Sequence, residues 1–299
     1  MEECRLSQRS DLAPNLAIVC SAILWGTFWI PLRALRPTDL ASGSPTTVGF
    51  LLPLFVLLPF AISRWRSIVG GGWALSMVGV CLGVSVAFYA EGLVRGHVAR
   101  VLLLFYLMPV WSTLLGRFLL GEVITGRRIL AIILGFSGIA AVFGIAAGRN
   151  SPIAAGEWMG LVAGIVWGLA MVYLNRTASR PLFDRVFVQF LFLGPVFFLV
   201  GLIPGGTVIA AGDAAALSSL WAWLFAFALV WMLPVIWLTS FGASRLDAGR
   251  VAILLTLEII VGLTTAAFLT DEPFGQRECI GAALILGAIW VEVVDARRS

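Results

Sequence analysis

Apolar runs of about twenty residues alternate with short polar connections along almost the whole chain. Ten runs can be placed, at 15–35, 46–63, 73–91, 98–119, 128–147, 157–175, 184–203, 218–240, 250–270 and 278–294. A run of about 20 apolar residues is long enough to cross a bilayer as a helix. The pattern therefore predicts an all-α polytopic membrane protein with ten transmembrane helices. Its connections are too short to hold a soluble domain. Barrel strands would be about 10 residues long and would alternate apolar with polar; these runs are twice as long and continuously apolar. The flank before the first run, MEECRLSQRSDLAPN, mixes acids with arginines, and nine more runs follow. That first run reads as a retained helix rather than a cleaved signal.

Composition sharpens this picture. Of 299 residues, 60% are hydrophobic and only 12% charged, with mean hydropathy +1.01. Soluble domains carry about 25% charged residues, so lipid is the expected solvent. The net charge is +4, yet no block of basic residues exists, and nucleic acid is not an expected partner. All 20 basic residues are arginine. Without lysine there is no Walker A phosphate loop and no Schiff base to retinal or pyridoxal, so no cofactor is expected. The four cysteines lack metal-ligand spacing and read as small buried hydrophobes. With both termini in the cytoplasm, 14 arginines fall inside and 6 outside, which the positive-inside rule favours.

The chain also resembles itself. Shifted by 150 residues, 97–140 falls on 247–290 with ten identities in 44 positions, including Arg100 on Arg250, Phe118 on Phe268, Glu122 on Glu272 and Arg127 on Arg277. Trp25-Gly26 matches Trp167-Gly168 at an offset of 142. These matches suggest two five-helix repeats, 1–150 and 151–299. An odd number of spans inserts the second copy upside down, and inverted repeats around a central cavity are a common plan of secondary transporters.

Ten spans in two halves, with LMPVW…FLLGE closing the fourth and FLTDE closing the ninth, resemble the EamA family of the drug/metabolite transporter (DMT) superfamily. The run LLFYLMPVW and the tryptophans of spans 1, 6 and 8 are similar to that family's bacterial aromatic amino-acid exporter branch, typified by YddG. The second half departs from the pattern, with Glu258 and Ile259 where the first half has Met108 and Pro109. The resemblance implies an exporter working by alternating access in the bacterial inner membrane. It also implies that Trp25, Tyr106, Trp167 and Trp237 face a central cavity.

The residues themselves offer candidates for that cavity. Pro109 has no N–H and leaves the Phe105 carbonyl without its helical partner. Bare backbone at this depth is tolerated where protein or a water-filled cavity covers it. A bend at Pro109 would turn Tyr106, Pro109, Val110 and Thr113 inward, unless it merely improves packing. Pro234 could bend span 8 likewise. Glu258 lies two turns past Arg250, near mid-membrane, where an acidic residue costs about 2.5–3.5 kcal/mol on insertion scales. It could accept a substrate ammonium, carry a coupling proton or brace a neighbouring helix, and Gly262 and Thr265 continue its polar stripe. Trp25, Tyr89, Tyr106, Trp167 and Trp237 offer flat faces to an apolar side chain and cation–π contact to an ammonium, or are ordinary packing residues. With Glu258 they form the candidate substrate-binding set. Trp111, Trp221 and Trp223 read as packing or interfacial residues. Glu91, Arg95, His97 and Arg100, around the outer connection of spans 3 and 4, could gate substrate or be solvated loop charges. Gly79, Gly83, Gly160, Gly164 and Gly168 have the small-xxx-small spacing of close helix contacts. Glu122 could pair with Arg127 or Arg128.

An intramembrane lipid-modifying enzyme would need clustered His, Asp, Glu or Ser. One histidine exists, with no HExxH and no GxSxG, so the chain does not read as an enzyme, and no metal is expected. The expected activity is export of small amphiphilic metabolites, foremost aromatic and other neutral amino acids, with drugs, nucleosides or sugar derivatives as the alternative. The partners are then the substrate and the lipid bilayer, and the protein could be monomeric.

Overall fold

A computed structural model describes residues 2–34, 44–120, 125–143, 153–177, 179–201, 221–246, 248–271 and 275–296, and the regular structure among these is helical. In chain order the helices are α1 (Glu2–Gly26), α2 (Trp29–Ala34), α3 (Ser44–Ser63), α4 (Trp65–Val69), α5 (Gly72–Arg95), α6 (Val98–Phe105) and α7 (Met108–Leu120). They continue with α8 (Gly126–Val142), α9 (Ala155–Arg176), α10 (Leu182–Gly201), α11 (Trp221–Ala243), α12 (Ala248–Leu269) and α13 (Gln276–Ala296). Among the described residues, five stretches are long and apolar enough to cross a membrane by themselves: 12–34, 72–95, 155–174, 182–200 and 221–243. Shorter apolar helices occupy 49–63 and 254–269. The glutamate at 122 lies outside the described residues, as do the side chains of Pro109 and Thr113.

Three of the predicted spans are not regular helices, and proline chemistry explains where they break. Span 1 opens at Thr27–Phe28, between α1 and α2. Pro31 cannot donate to the Thr27 carbonyl, which accepts from the Ile30 amide instead at 3.0 Å. Phe28 N–H turns to the Trp25 carbonyl at 3.1 Å. The Leu24 carbonyl, left without that amide, accepts from the Trp231 indole at 2.9 Å. Span 4 opens at Tyr106–Leu107, just before Pro109. Span 8 carries a π-helical stretch, Phe227–Met232, that ends two residues before Pro234. π-Segments recur at functional sites.

Helix neighbours come in mates. α5 packs on α9 as α11 packs on α1, α10 packs on α5 as α3 packs on α11, and α9 packs on α6 and α7 as α1 packs on α12. α3 with α10, α6 with α12, and α8 with α13 sit at the centre of this exchange. Two groups result, α1–α3–α11–α12 and α5–α6–α7–α9–α10, and each draws helices from both halves of the sequence. Glycines set the closest crossings. A Cβ on Gly26 would come within 2.7 Å of the Glu258 carbonyl, and one on Gly164 within 2.6 Å of the Phe105 carbonyl. Gly79 packs against Val188 and Phe192, and Gly160 against Val101.

The cysteines divide differently from the sequence expectation. Cys81 is buried, but Cys20 and Cys279 are exposed. Cys20 sits on the outward face of α1, where an apolar thiol meets lipid as readily as protein. The indole of Trp111 packs edge-on against Phe136 at 5.9 Å, while Trp221 and Trp223 are exposed.

Candidate functional site

The two groups of helices meet around a small enclosed cavity, lined by Trp25 from α1, Ser85, Val86 and Tyr89 from α5, Phe105 and Met108 from the broken fourth span, Trp167 from α9, Thr239 from α11, and Leu255 and Glu258 from α12. Its volume is about 20 Å³, room for roughly one water molecule. A metabolite needs more room than this, so the helices must part to admit one.

Aromatic rings form its wall in sequence. Trp25 lies 6.4 Å from Tyr89, Tyr89 stacks on Phe105 at 4.4 Å, and Phe105 meets Trp167 edge-on at 5.7 Å. Phe28 extends the cluster from the α1–α2 break, 5.2 Å from Trp25 and 6.3 Å from Tyr89. Glu258 is buried, and its Oε1 accepts from the Tyr89 hydroxyl at 3.4 Å. The Trp25 indole donates to Thr239 Oγ1 at 3.2 Å, and that hydroxyl donates to the Val235 carbonyl at 2.7 Å. Ser85 spends its hydroxyl on the Ala163 carbonyl at 2.8 Å. Glu258 is thus the one ionisable carboxyl among the lining residues.

Of the residues singled out from sequence, Trp25, Tyr89, Trp167 and Glu258 come together at the cavity. Tyr106 is buried edge-on against Phe105 at 5.5 Å and does not line the cavity, although its hydroxyl lies near the Glu258 carboxylate, as that of Tyr89 does. Trp237 is half-buried in the surrounding core and does not line the cavity. The fourth span turns a different face inward from the one expected. Phe105 and Met108 reach the cavity, whereas Leu107 and Val110 pack on Gly135 of α8. The reason is the break at 106–107, which resets the register between α6 and α7. On α12 the stripe from Glu258 runs on as expected: Gly262 lies against the Gly26 carbonyl, and Thr265 accepts from the Trp29 indole at 3.1 Å. Ser85, Val86, Phe105, Met108, Thr239 and Leu255 were not foreseen. In a chain so apolar, with 20 phenylalanines, small, aliphatic and phenyl side chains carry no signal of their own.

One consequence is measurable at the Trp25–Thr239 bond. Trp25→Phe keeps a ring but removes the indole N–H, and Thr239 retains its own acceptor in Val235. The expected cost is about 1 kcal/mol, the net worth of one hydrogen bond. It would be read as a modest fall in the thermal unfolding midpoint of the detergent-purified protein, with folded yield intact.

Comparison with known proteins places this architecture. The sequence profile of the EamA-like transporter family matches twice, over residues 12–144 and 154–293. The chain is 25% identical over 284 residues to an uncharacterized transporter of Bacillus subtilis, YvbV, covering 92% of this chain and 89% of that one. It is 25% identical over 246 residues to the biotin transporter of Escherichia coli, covering 80% of each. A probable amino-acid metabolite efflux pump of Escherichia coli is 26% identical over 196 residues, 62% of this chain and 64% of its own. A solved crystal structure superimposes with a TM-score of 0.57 over 94% of this chain and 96% of its own, at 21% identity, which shows a shared fold.

Proposed function

Since the chain belongs to the EamA-like transporter family, it is a multi-pass membrane transporter and not an enzyme, and we propose that it exports amino acids, aromatic and other neutral ones, by alternating access. The observation that carries this reading is a single buried carboxyl, Glu258, in a cavity walled by Trp25, Tyr89, Phe105 and Trp167. Rings accept an apolar side chain and hold an ammonium by cation–π contact. The carboxylate supplies the ammonium's counter-charge in a site that excludes water, where charge-assisted bonds are strongest. A substrate that is only an anion meets repulsion there, which favours an amino acid over a carboxylate such as biotin.

Further features fit the same scheme. Ten spans as two inverted repeats, 1–150 and 151–299, account for the doubled family match and for helix neighbours that come in mates. Such a plan gives two nearly equal conformations, one open to each side. In this reading the two mixed helix groups, rather than the sequence halves, rock about the cavity. Pro109 and Pro234 set the breaks at which their spans bend, and Tyr106 and Trp237 complete the site when the helices part. The arginine bias supports cytoplasmic termini in a bacterial inner membrane.

Competition separates the chemical classes. With a labelled aromatic amino acid as tracer, the matching amine without its carboxylate should compete, whereas the matching acid without its amine, and biotin, should not. Competition by the acid but not the amine would assign the cavity to anions and defeat the proposal.

A further inference from the structure

Four phenylalanines pack in mutual contact against the cavity wall without lining the cavity themselves. Phe28, at the break between α1 and α2, stacks on the wall ring of Tyr89 at 6.3 Å and on Phe227 of α11 at 6.1 Å. Phe50 of α3 meets Phe28 at 6.2 Å and Phe227 edge-on at 5.5 Å, and it stacks on Phe197 of α10 at 4.0 Å. All four rings are buried. Glycines let the helices that carry them close in. A Cβ on Gly49 of α3 would come within 2.7 Å of the Phe227 ring, and one on Gly194 of α10 would overlap Leu51 of α3.

Helix direction puts this cluster between the cavity and the end of the bundle that bears the α5–α6 connection. α10 runs alongside α5, with Val188 on Gly79 and Phe192 on Gly83, so both finish at that end. α3 runs against α10, with Leu51 on Gly194 at that end and Arg64 on Asp184 at the other, so α3 begins there. α11 begins there too, with Phe227 on Gly49, and so does α9, with Gly156 on Gly96. Phe50 and Phe227 lie within about two turns of the starts of their helices, and Phe197 about one turn before the finish of α10. Lining residues on the same elements sit deeper: Trp167 is about three turns down α9, and Thr239 about five turns down α11.

Two features set the cluster apart from static core. Two of its contacts cross between the helix groups: Phe50 on Phe197 joins α3 to α10, and Phe28 on Tyr89 joins the break in span 1 to α5. The other contacts stay within one group. Phe28 and Phe227 also sit on irregular backbone, Phe28 in the opening of span 1 and Phe227 at the first residue of the π-helical stretch. Trp231, from that same stretch, donates to the Leu24 carbonyl at 2.9 Å, so the two breaks are tied and their rings move together. Packed phenyl rings offer an ammonium or a carboxylate neither water nor a polar partner, and an apolar constriction of this kind shuts a path while it stays dry. Ring pairs are individually weak and hold in more than one geometry, as a contact that opens in every cycle must. We infer that Phe28, Phe50, Phe197 and Phe227 form a gate between the cavity and this end. It opens by parting Phe50 from Phe197 and Phe28 from Tyr89, while Phe28, Phe50 and Phe227 stay together. This inference rests on the alternating-access reading above.

Reversible cross-linking tests it. In a background with the native cysteines replaced, Phe50→Cys is combined either with Phe197→Cys, across the two groups, or with Phe227→Cys, within one. A short bis-thiosulfonate reagent is added during amino-acid counterflow in proteoliposomes. Bridging 50 to 197 should stop counterflow, and reduction should restore it. Bridging 50 to 227 should leave most of the flux. Continued flux through a fully bridged 50–197 pair, equal loss from the two pairs, or a 50–197 pair that never reacts while transport continues would each overturn the gate and leave alternating access standing. A milder change decides the matter if the paired variants do not fold. With Leu255→Cys as a reporter in the cavity wall, Phe197→Leu should speed its labelling by a charged thiol reagent in sealed vesicles that expose this end. Phe187→Leu, elsewhere on α10 and stacked on Phe183, should not. Equal labelling of the two would overturn the gate. If the cysteine-replaced parent exchanges no amino acid at all, the transport reading falls, and the gate with it.

Discussion

Glu258→Gln should lower amino-acid counterflow at least about tenfold without loss of folded protein. A hydrogen bond or ion pair to a charged group contributes about 1.5–3 kcal/mol, and each 1.4 kcal/mol is a factor of ten in affinity. Glutamine keeps the shape and can still accept from the Tyr89 hydroxyl, 3.4 Å from the carboxylate in the parent. What disappears is the counter-charge for an ammonium. The thermal midpoint should stay level or rise, because a carboxyl in the middle of a membrane protein is a cost to insertion. Glu258→Ala should lose as much flux and also some stability, through the space it leaves behind. Undiminished flux with Glu258→Gln would reduce the carboxyl to a brace between α12 and α5.

The second large effect is expected from a residue that touches no substrate. Gly164→Val should destabilise the protein by about 1–3 kcal/mol or more, as overpacking does. A Cβ there would lie 2.6 Å from the Phe105 carbonyl and 3.3 Å from that of Leu104. Both obstacles are backbone and cannot swing aside as a side chain can. The crossing also sits where Pro109 removes a donor from the fourth span, so α9 covers the carbonyl that the proline strips of its partner. Gly83→Ala is the milder comparison. Its Cβ would meet the Phe192 and Leu193 backbone at 3.3–3.4 Å, so most of its folded yield should survive. Size-exclusion profiles and thermal midpoints of the two variants side by side would test this ordering.

The helical membrane architecture was legible because hydrocarbon imposes a length on apolar runs. The carboxyl at 258 was legible because a charge in such a run demands an explanation. Pro109 foretold a break in span 4, but not its effect on register: a turn at 106–107 sends Phe105 and Met108 into the wall and leaves Tyr106 off the lining, with its hydroxyl near Glu258. The opening of span 1 at 27–28 and the π-segment at 227–232 were not foreseen. Their cues, Pro31 and Pro234, resemble prolines that sit quietly within α3 at 53 and 59. The charges after span 3 were ambiguous for another reason. Arg100 finds Glu157 and Glu278 far along the chain, and only the packing of α6 between α9 and α13 brings them within reach. Trp237 looked equivalent to Trp25 and Trp167, yet Thr239, two residues on and across the helix, is the residue of α11 that lines the cavity.

Counterflow in proteoliposomes tests the central claim most directly. The purified protein is reconstituted, the lumen is loaded with one unlabelled amino acid at a time, and uptake of labelled tryptophan, phenylalanine, methionine or threonine is followed. The account predicts accumulation above protein-free liposomes, competed by a subset of amino acids and lowered at least about tenfold by Glu258→Gln. Absence of exchange for every amino acid on the panel, from protein that remains monodisperse, would contradict it.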